Sequence, residues 1–215
     1  MSYVCWATLY EGTTDAAYFD ILIPRMMEEI ILAGGTRHAT IPPAPAIRFH
    51  RSTTERVARE ACAARDAFHL LFIHADTGGR AMRAGLGERS DAYCAAMQAL
   101  CEWPPARCIT ILPEHETEAW ILADPEAVLA ALGFNGSPAA IGLPANARDA
   151  ERLVDPKAAL EAAANAARGR RRRAHAAQLG PAIAARQSLV HLRQAKSFAA
   201  FEGRLCAALA DIGCL

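Results

Sequence analysis

A chain of 215 residues with 23 Lys+Arg against 23 Asp+Glu has a formal net charge of zero, and an apolar share of 53% is ample for a hydrophobic core. Neutrality removes any global pull toward nucleic acid or membrane, so electrostatic recognition has to be local. The longest apolar runs are too short to span a bilayer and Ser2-Tyr3-Val4 opens no signal peptide, which predicts a soluble, cytoplasmic, bacterial-type protein without a membrane partner.

In chain order, Tyr3 to Tyr10 reads as a strand that stops at Glu11-Gly12-Thr13-Thr14-Asp15. Thr13 or Thr14 can cap a helix running toward Ala33, with Pro24 kinking it or opening a second segment and Gly34-Gly35 ending it. Three prolines between Ala39 and Phe49 allow only a short or edge strand near Ala46 to Phe49. Ser52-Thr53-Thr54-Glu55 is a helix start in which the serine and the glutamate satisfy each other's backbone donors, and that helix ends near Arg65. Phe68 to Ile73 predicts a strand, 76–89 a glycine-rich loop, Ser90 to Glu102 a helix and Cys108 to Leu112 a further strand. Glu114-His115-Glu116-Thr117-Glu118-Ala119-Trp120 then leads into a helix to Ala123.

Strands alternating with helices predict an α/β fold, a small, mostly parallel sheet flanked by helices. Beyond Asp124 only alanine-rich helical segments remain, broken by a Gly/Pro/Asn-rich stretch at 133–146, so the division is a core at 1–125 and a helical C-terminal extension at 126–215 packed on it. The seven cysteines are odd in number, include no C-x-x-C and sit mostly in apolar runs, as at Cys5, Cys62, Cys94 and Cys108. They predict small core residues, not disulfides or zinc ligands.

In a parallel sheet, polar residues at the carboxyl ends of the strands collect along one edge. Glu11, Asp76 and one of Glu114, Glu116 or Glu118 thereby form a candidate set for a hard divalent cation, which takes several oxygen ligands and can activate water or stabilise an in-line displacement at phosphorus. Helix capping and solubility are the competing explanation of the same acids. His74, closing an apolar strand, is either a hydrogen-bonded structural residue or a ligand and proton carrier. Trp120 can stack on a base but has the spacing of a core residue. Thr77-Gly78-Gly79-Arg80 with Arg83 suits a phosphate; the lysine and hydroxyl residue of a Walker motif are absent, so the chain does not hydrolyse ATP alone. Arg168-Gly169-Arg170-Arg171-Arg172-Arg173 is either a phosphate-binding run or a solvated face.

Glu11-Gly12-x-x-Asp15, Leu71-Phe72-Ile73-His74-x-Asp76 and above all Glu116-Thr117-Glu118-Ala119-Trp120-Ile121-Leu122-Ala123-Asp124 resemble the bacterial DUF4276 family, which looks Toprim-like. Asp155-Pro156-Lys157 and Ser197-Phe198-x-x-Phe201 extend the resemblance over most of the chain. It implies a Toprim-like, Rossmann-like core binding Mg2+ (or Mn2+) through a glutamate after the first strand, matched by Glu11, and an aspartate pair after a later strand, matched in part by Asp76. Only one carboxylate stands where two are expected, because His74 and Gly78 flank Asp76; Glu116 or Glu118 can supply the missing oxygen, and His74 can ligate manganese. The implied activity is phosphodiester hydrolysis of nucleic acid, DNA ahead of RNA, in a bacterial defence or mobile-element system with an ATPase partner and with a homo-oligomer allowed. Two alternatives are a non-catalytic subunit docking to the ATPase or to nucleic acid, and a small-molecule phosphohydrolase or nucleotidyl-transfer enzyme.

Overall fold

The fold is that of a computed structural model describing residues 2–35, 39–75, 87–168 and 178–215. Its centre is a four-stranded parallel sheet of order β4-β2-β5-β6, built from β2 (Trp6–Leu9), β4 (Ile47–Phe49), β5 (Leu70–His74) and β6 (Cys108–Ile111). Leu9 pairs with Phe49 on one side and Ile73 on the other, and His74 pairs with Ile111, so the carboxyl ends of the strands are level. The first predicted strand is split: β1 (Ser2–Tyr3) pairs with β3 (Ala39–Thr40) in a separate two-stranded ladder, and β2 begins after Val4 and Cys5. β2, β5 and β6 are buried along their whole length, as strands covered on both faces are.

The strand order dictates which helix covers which face. From β2 the chain moves outward to β4 through α1 (Thr13–Gly34), then reverses through α2 (Thr54–Ala63) to β5 and continues through α3 (Gly87–Cys101) to β6. Right-handed crossovers place helices of opposite travel on opposite faces. Accordingly, Val57, Ala58 and Ala61 of α2 and Met97 of α3 pack with Ala7, Leu9, Leu71 and Ile73, whereas α1 packs on the other face with Trp6, Leu70 and Phe72. α1 runs unbroken through Pro24, which is buried within it. The cap of α2 is Thr53, whose hydroxyl accepts from the Arg56 amide at 3.4 Å; the cap is one residue later than the Ser52 expected, because two adjacent hydroxyls offer the same chemistry.

One helix cannot cover the α1 face of four strands, and the C-terminal half fills what is left. α4 (Thr117–Ile121), α5 (Pro125–Leu132), α6 (Ala147–Ala150), α7 (Pro156–Arg168), α8 (Gly180–Ala184), α9 (Leu189–Leu192) and α10 (Lys196–Asp211) add their apolar side chains to the same cluster as Phe72, Ile109 and Ile111. Phe201 of α10 meets Phe72 with ring centroids 6.3 Å apart, and Trp120 of α4 meets Phe198 at 5.1 Å. The described C-terminal helices therefore share one hydrophobic core with the sheet.

On the opposite face two disulfides, Cys62–Cys101 and Cys94–Cys108, tie α3 to α2 and to the start of β6. This corrects the expectation of unpaired core thiols: apolar positions on α2, α3 and β6 come together when the helices pack, a pairing with no local signature. Cys5, Cys206 and Cys214 belong to neither disulfide. Alkylation of the unfolded, unreduced protein is expected to label these three cysteines and, after reduction, all seven; seven labels without reductant would contradict the pairing.

Candidate functional site

In an α/β sheet a ligand site forms outside the carboxyl ends of the two strands between which the strand order reverses. Here these are β2 and β5; Tyr10 and Glu11 follow β2, and Ala75 follows His74, the last residue of β5. Leu9 pairs with Ile73, so Glu11 and Ala75 stand two residues beyond the same rung. Asp76, Arg80, Arg83 and Arg170 to Arg173 lie outside the described residues.

Behind this edge three segments meet in a buried polar junction. The Thr117 hydroxyl donates to Asp15 Oδ1 at 2.7 Å and lies 3.2 Å from His74 Nε2. A hydroxyl carries one proton; given to the carboxylate, it leaves the Thr117 oxygen to accept from an Nε2–H of His74. Nδ1 of His74 is 3.8 Å from Asp15 Oδ2, and its ring leans on Phe19 with centroids 4.9 Å apart. The His74 side chain has no exposed surface, so it braces the strand end from inside. Asp15 and Thr117, both buried and neither a candidate from sequence, are the residues that join the first and third motifs. The signal was present: Asp15 closes E-G-x-x-D and Thr117 sits between two glutamates, but each also reads as an ordinary first-turn residue.

Glu116 occupies the N-cap position of α4 in an extended conformation, and Glu118 lies in its first turn. The chain reaches Glu116 through a tight turn centred on His115, at φ 64°, with the Glu116 amide donating to the Glu114 carbonyl at 2.9 Å. A left-handed conformation costs a non-glycine residue about 1 kcal/mol or more, and such strain gathers at functional sites. Oε2 of Glu116 is buried without a hydrogen-bond partner among the described residues.

Glu11 is already holding a cation: Arg51 Nη1 is 2.5 Å from its Oε1. Arg51 and Arg48 come from the end of β4 and line, with Tyr10, Glu11, Asp20 and His50, a pocket of about 390 Å³ at the start of α1. Arg48 Nη2 lies 2.7 Å from Asp20 Oδ2, and the Tyr10 hydroxyl donates to Asp20 Oδ1 at 3.3 Å. Burial raises the Asp20 carboxyl above its usual range against the opposing pull of Arg48 and the Tyr10 hydrogen bond. Burial likewise lifts the Tyr10 phenol, with the Asp20 charge adding to it. Sequence reasoning missed Arg48, His50 and Arg51, whose only signal is Ile47-Arg48-Phe49-His50-Arg51 at the end of an edge strand. A separate pocket of about 430 Å³ among the C-terminal helices, lined by Glu126, Asn146, His191 and Gln194, touches none of the strand ends.

The rest of the long third motif is structural. Trp120 Nε1 donates to Ser197 Oγ at 2.7 Å, and Glu151 accepts from the Lys196 and Ser197 amides at 2.7 and 2.8 Å and from the Ser197 hydroxyl, which closes the start of α10. Gln187 donates to the Trp120 and Ile121 carbonyls and accepts from the Tyr18 hydroxyl at 2.7 Å. Asp124 caps α5 through the Ala127 amide, accepts from the Ser188 amide at 2.8 Å and faces His191. Trp120 is buried core, out of reach of a base.

As a donor set for a hard cation, the described residues offer the Glu11 carboxylate, which accepts a guanidinium, and the buried Glu116 Oε2. No three His, Cys, Asp or Glu side chains are grouped to hold a metal among the described residues, so a full ligand set requires a residue such as Asp76.

An all-parallel sheet with helices packed on both faces and its order reversing between β2 and β5 defines an α/β protein of the doubly wound kind. Over residues 10–206 the chain matches the family described as Domain of unknown function (DUF4276), and it belongs to that family. No curated protein and no solved structure matches it. No described helix is long and apolar enough to cross a membrane.

Thr117→Val, which removes the hydroxyl between two buried polar groups, is expected to lower stability by about 1–3 kcal/mol in urea denaturation, with Thr117→Ser recovering most of it. An unchanged midpoint for the valine variant would show that the junction contributes nothing.

Proposed function

We propose that this chain is a Toprim-like, metal-dependent nuclease that hydrolyses phosphodiester bonds of nucleic acid, DNA ahead of RNA. The observation that supports it is the placement of Glu11 and His74-Ala75 at the level carboxyl ends of adjacent strands, where the strand order reverses and Asp76 comes next in the chain. In this reading Glu11, Asp76 and Glu116 hold Mg2+ or Mn2+, with Glu118 as a further carboxylate on the same turn of chain. The bound ion supplies charge neutralisation at the scissile phosphate and lowers the pKa of a water molecule. Thr117, Asp15 and His74 hold the first strand end, the second strand end and the Glu116 turn to one another. His74 is thus a positioning residue, since its side chain has no exposed surface. Arg80, Arg83 and the run Arg170 to Arg173 serve as phosphate contacts, and an ATPase partner in a defence or mobile-element system acts on the assembled enzyme.

The lone Asp76 where an aspartate pair is expected favours a second reading, a subunit of the same fold that docks to nucleic acid or to the ATPase without cutting. Incubation of supercoiled plasmid and of single-stranded RNA with Mg2+ or Mn2+ decides between the two. Cleavage is expected to fall at least about a hundredfold in Glu11→Ala and in Asp76→Ala. Equal cutting by wild type and both variants, or none under any condition while nucleic acid is still bound, would remove the nuclease reading.

A further inference from the structure

The pocket at the start of α1 holds as much negative as positive charge on its named side chains. Each guanidinium faces one carboxylate, Arg48 against Asp20 at 2.7 Å and Arg51 against Glu11 at 2.5 Å, so an anion entering this pocket meets arginines already engaged. The two pairs are not equivalent. Asp20 is held from two sides, by Arg48 and by the Tyr10 hydroxyl, and its side chain is only 15% exposed. Exposure does not separate the pairs, since Arg48 and Arg51 are 48% and 43% exposed; position does, because Glu11 stands at the strand end where the proposed cation binds and Arg51 holds it from a flexible stem. A divalent ion and a guanidinium on one carboxylate repel each other, and the exposed arginine is the group able to leave. Once released, Arg51 remains on the wall of the pocket that Arg48 also lines, at the start of a 22-residue helix whose first residue, Thr13, lines it too.

The geometry points to a cation-gated phosphate subsite: a divalent ion taken by Glu11 frees Arg51, which with Arg48 then binds a phosphate of the nucleic-acid strand next to the one being cut. This rests on the reading of Glu11 as a cation ligand. Arg51 thereby acts as a stand-in for the metal in the resting enzyme and as a substrate ligand in the loaded one. By linkage, cation and phosphate raise each other's affinity.

A substitution at Arg51 accordingly acts in opposite directions on the two ligands, which a merely structural arginine does not. Mn2+ binding is measured by electron paramagnetic resonance titration, and binding of a fluorescent oligodeoxynucleotide by anisotropy with and without Ca2+. Wild-type affinity for the oligonucleotide is expected to rise about tenfold with Ca2+. Arg51→Gln loses that rise and binds Mn2+ about three- to tenfold more tightly, because the competing cation is gone. Arg48→Gln weakens the oligonucleotide and leaves Mn2+ affinity as it was. Arg51→Gln behaving as wild type in both titrations, or binding Mn2+ more weakly, overturns the inference. That result beside metal-dependent cleavage by wild type and none by Glu11→Gln leaves the nuclease reading standing. Coupled titrations without cleavage under any condition sustain the subsite and remove the nuclease. Wild type that binds no Mn2+ removes both.

Discussion

A sheet whose second strand lies on one side of the first, and whose third and fourth lie on the other, imposes most of the remaining architecture of this molecule. Because helices of right-handed crossovers change face when the direction of travel reverses, of the three helices that connect the described strands of the sheet α1 lies on one face while α2 and α3 share the other. The apolar surface of β5 and β6 left uncovered on the α1 face includes Leu70, Phe72, Ile109 and Ile111. Exposed, those side chains would cost roughly 1.5–3 kcal/mol each. The C-terminal helices, with Phe198 and Phe201 in contact with Trp120, cover them. The helical extension is thus a structural requirement of the sheet order.

The same reversal makes the ends of β2 and β5 the place where such sheets form a ligand site, and one polar junction fastens the segments that meet there. Thr117 bonds Asp15 from the start of α1 and contacts His74 from the end of β5, so the segments carrying Glu11, Ala75 and Glu116 are fastened behind the edge. Buried polar groups of this kind are costly when half satisfied, which makes their shared geometry well determined. The long third motif divides its labour at Ala119: Glu116 to Glu118 belong to the edge, whereas Trp120 to Asp124 anchor α5, α10 and the Gln187 turn.

The strands were legible wherever a continuous apolar run met a polar stop, as at Leu70–His74 and Cys108–Ile111, because burial on both faces leaves little choice of side chain. The extent of α1 was legible but not its continuity, since Pro24 reads as a kink or the opening of a second segment whereas one helix runs through it. The split between β1 and β2 was not, since the break falls inside one apolar run at Val4-Cys5. Nor were the disulfides, whose partners are 39 and 14 residues apart and carry no local pattern. At the site, Glu11 and Glu116 were legible as acids placed after strands. Asp15, Thr117, Arg48 and Arg51 were not, because their roles come from neighbours brought in by the sheet order; a first-turn aspartate and an edge-strand arginine look the same in sequence whether or not anything faces them. Asp76, the arginine run and Arg80 and Arg83 lie outside the described residues, and their expected roles stand as proposals.

In the proposed enzyme, acidic side chains from separate strand ends surround one hydrated cation, an arrangement that anomalous diffraction from crystals grown with Mn2+ would reveal. The expected result is a single manganese peak outside the ends of β2 and β5, with carboxylate oxygens of Glu11 and Asp76 at about 2.1–2.2 Å and Arg51 drawn away from Glu11. Crystals in which Glu11 keeps Arg51 as its partner and no peak lies at that edge would contradict it.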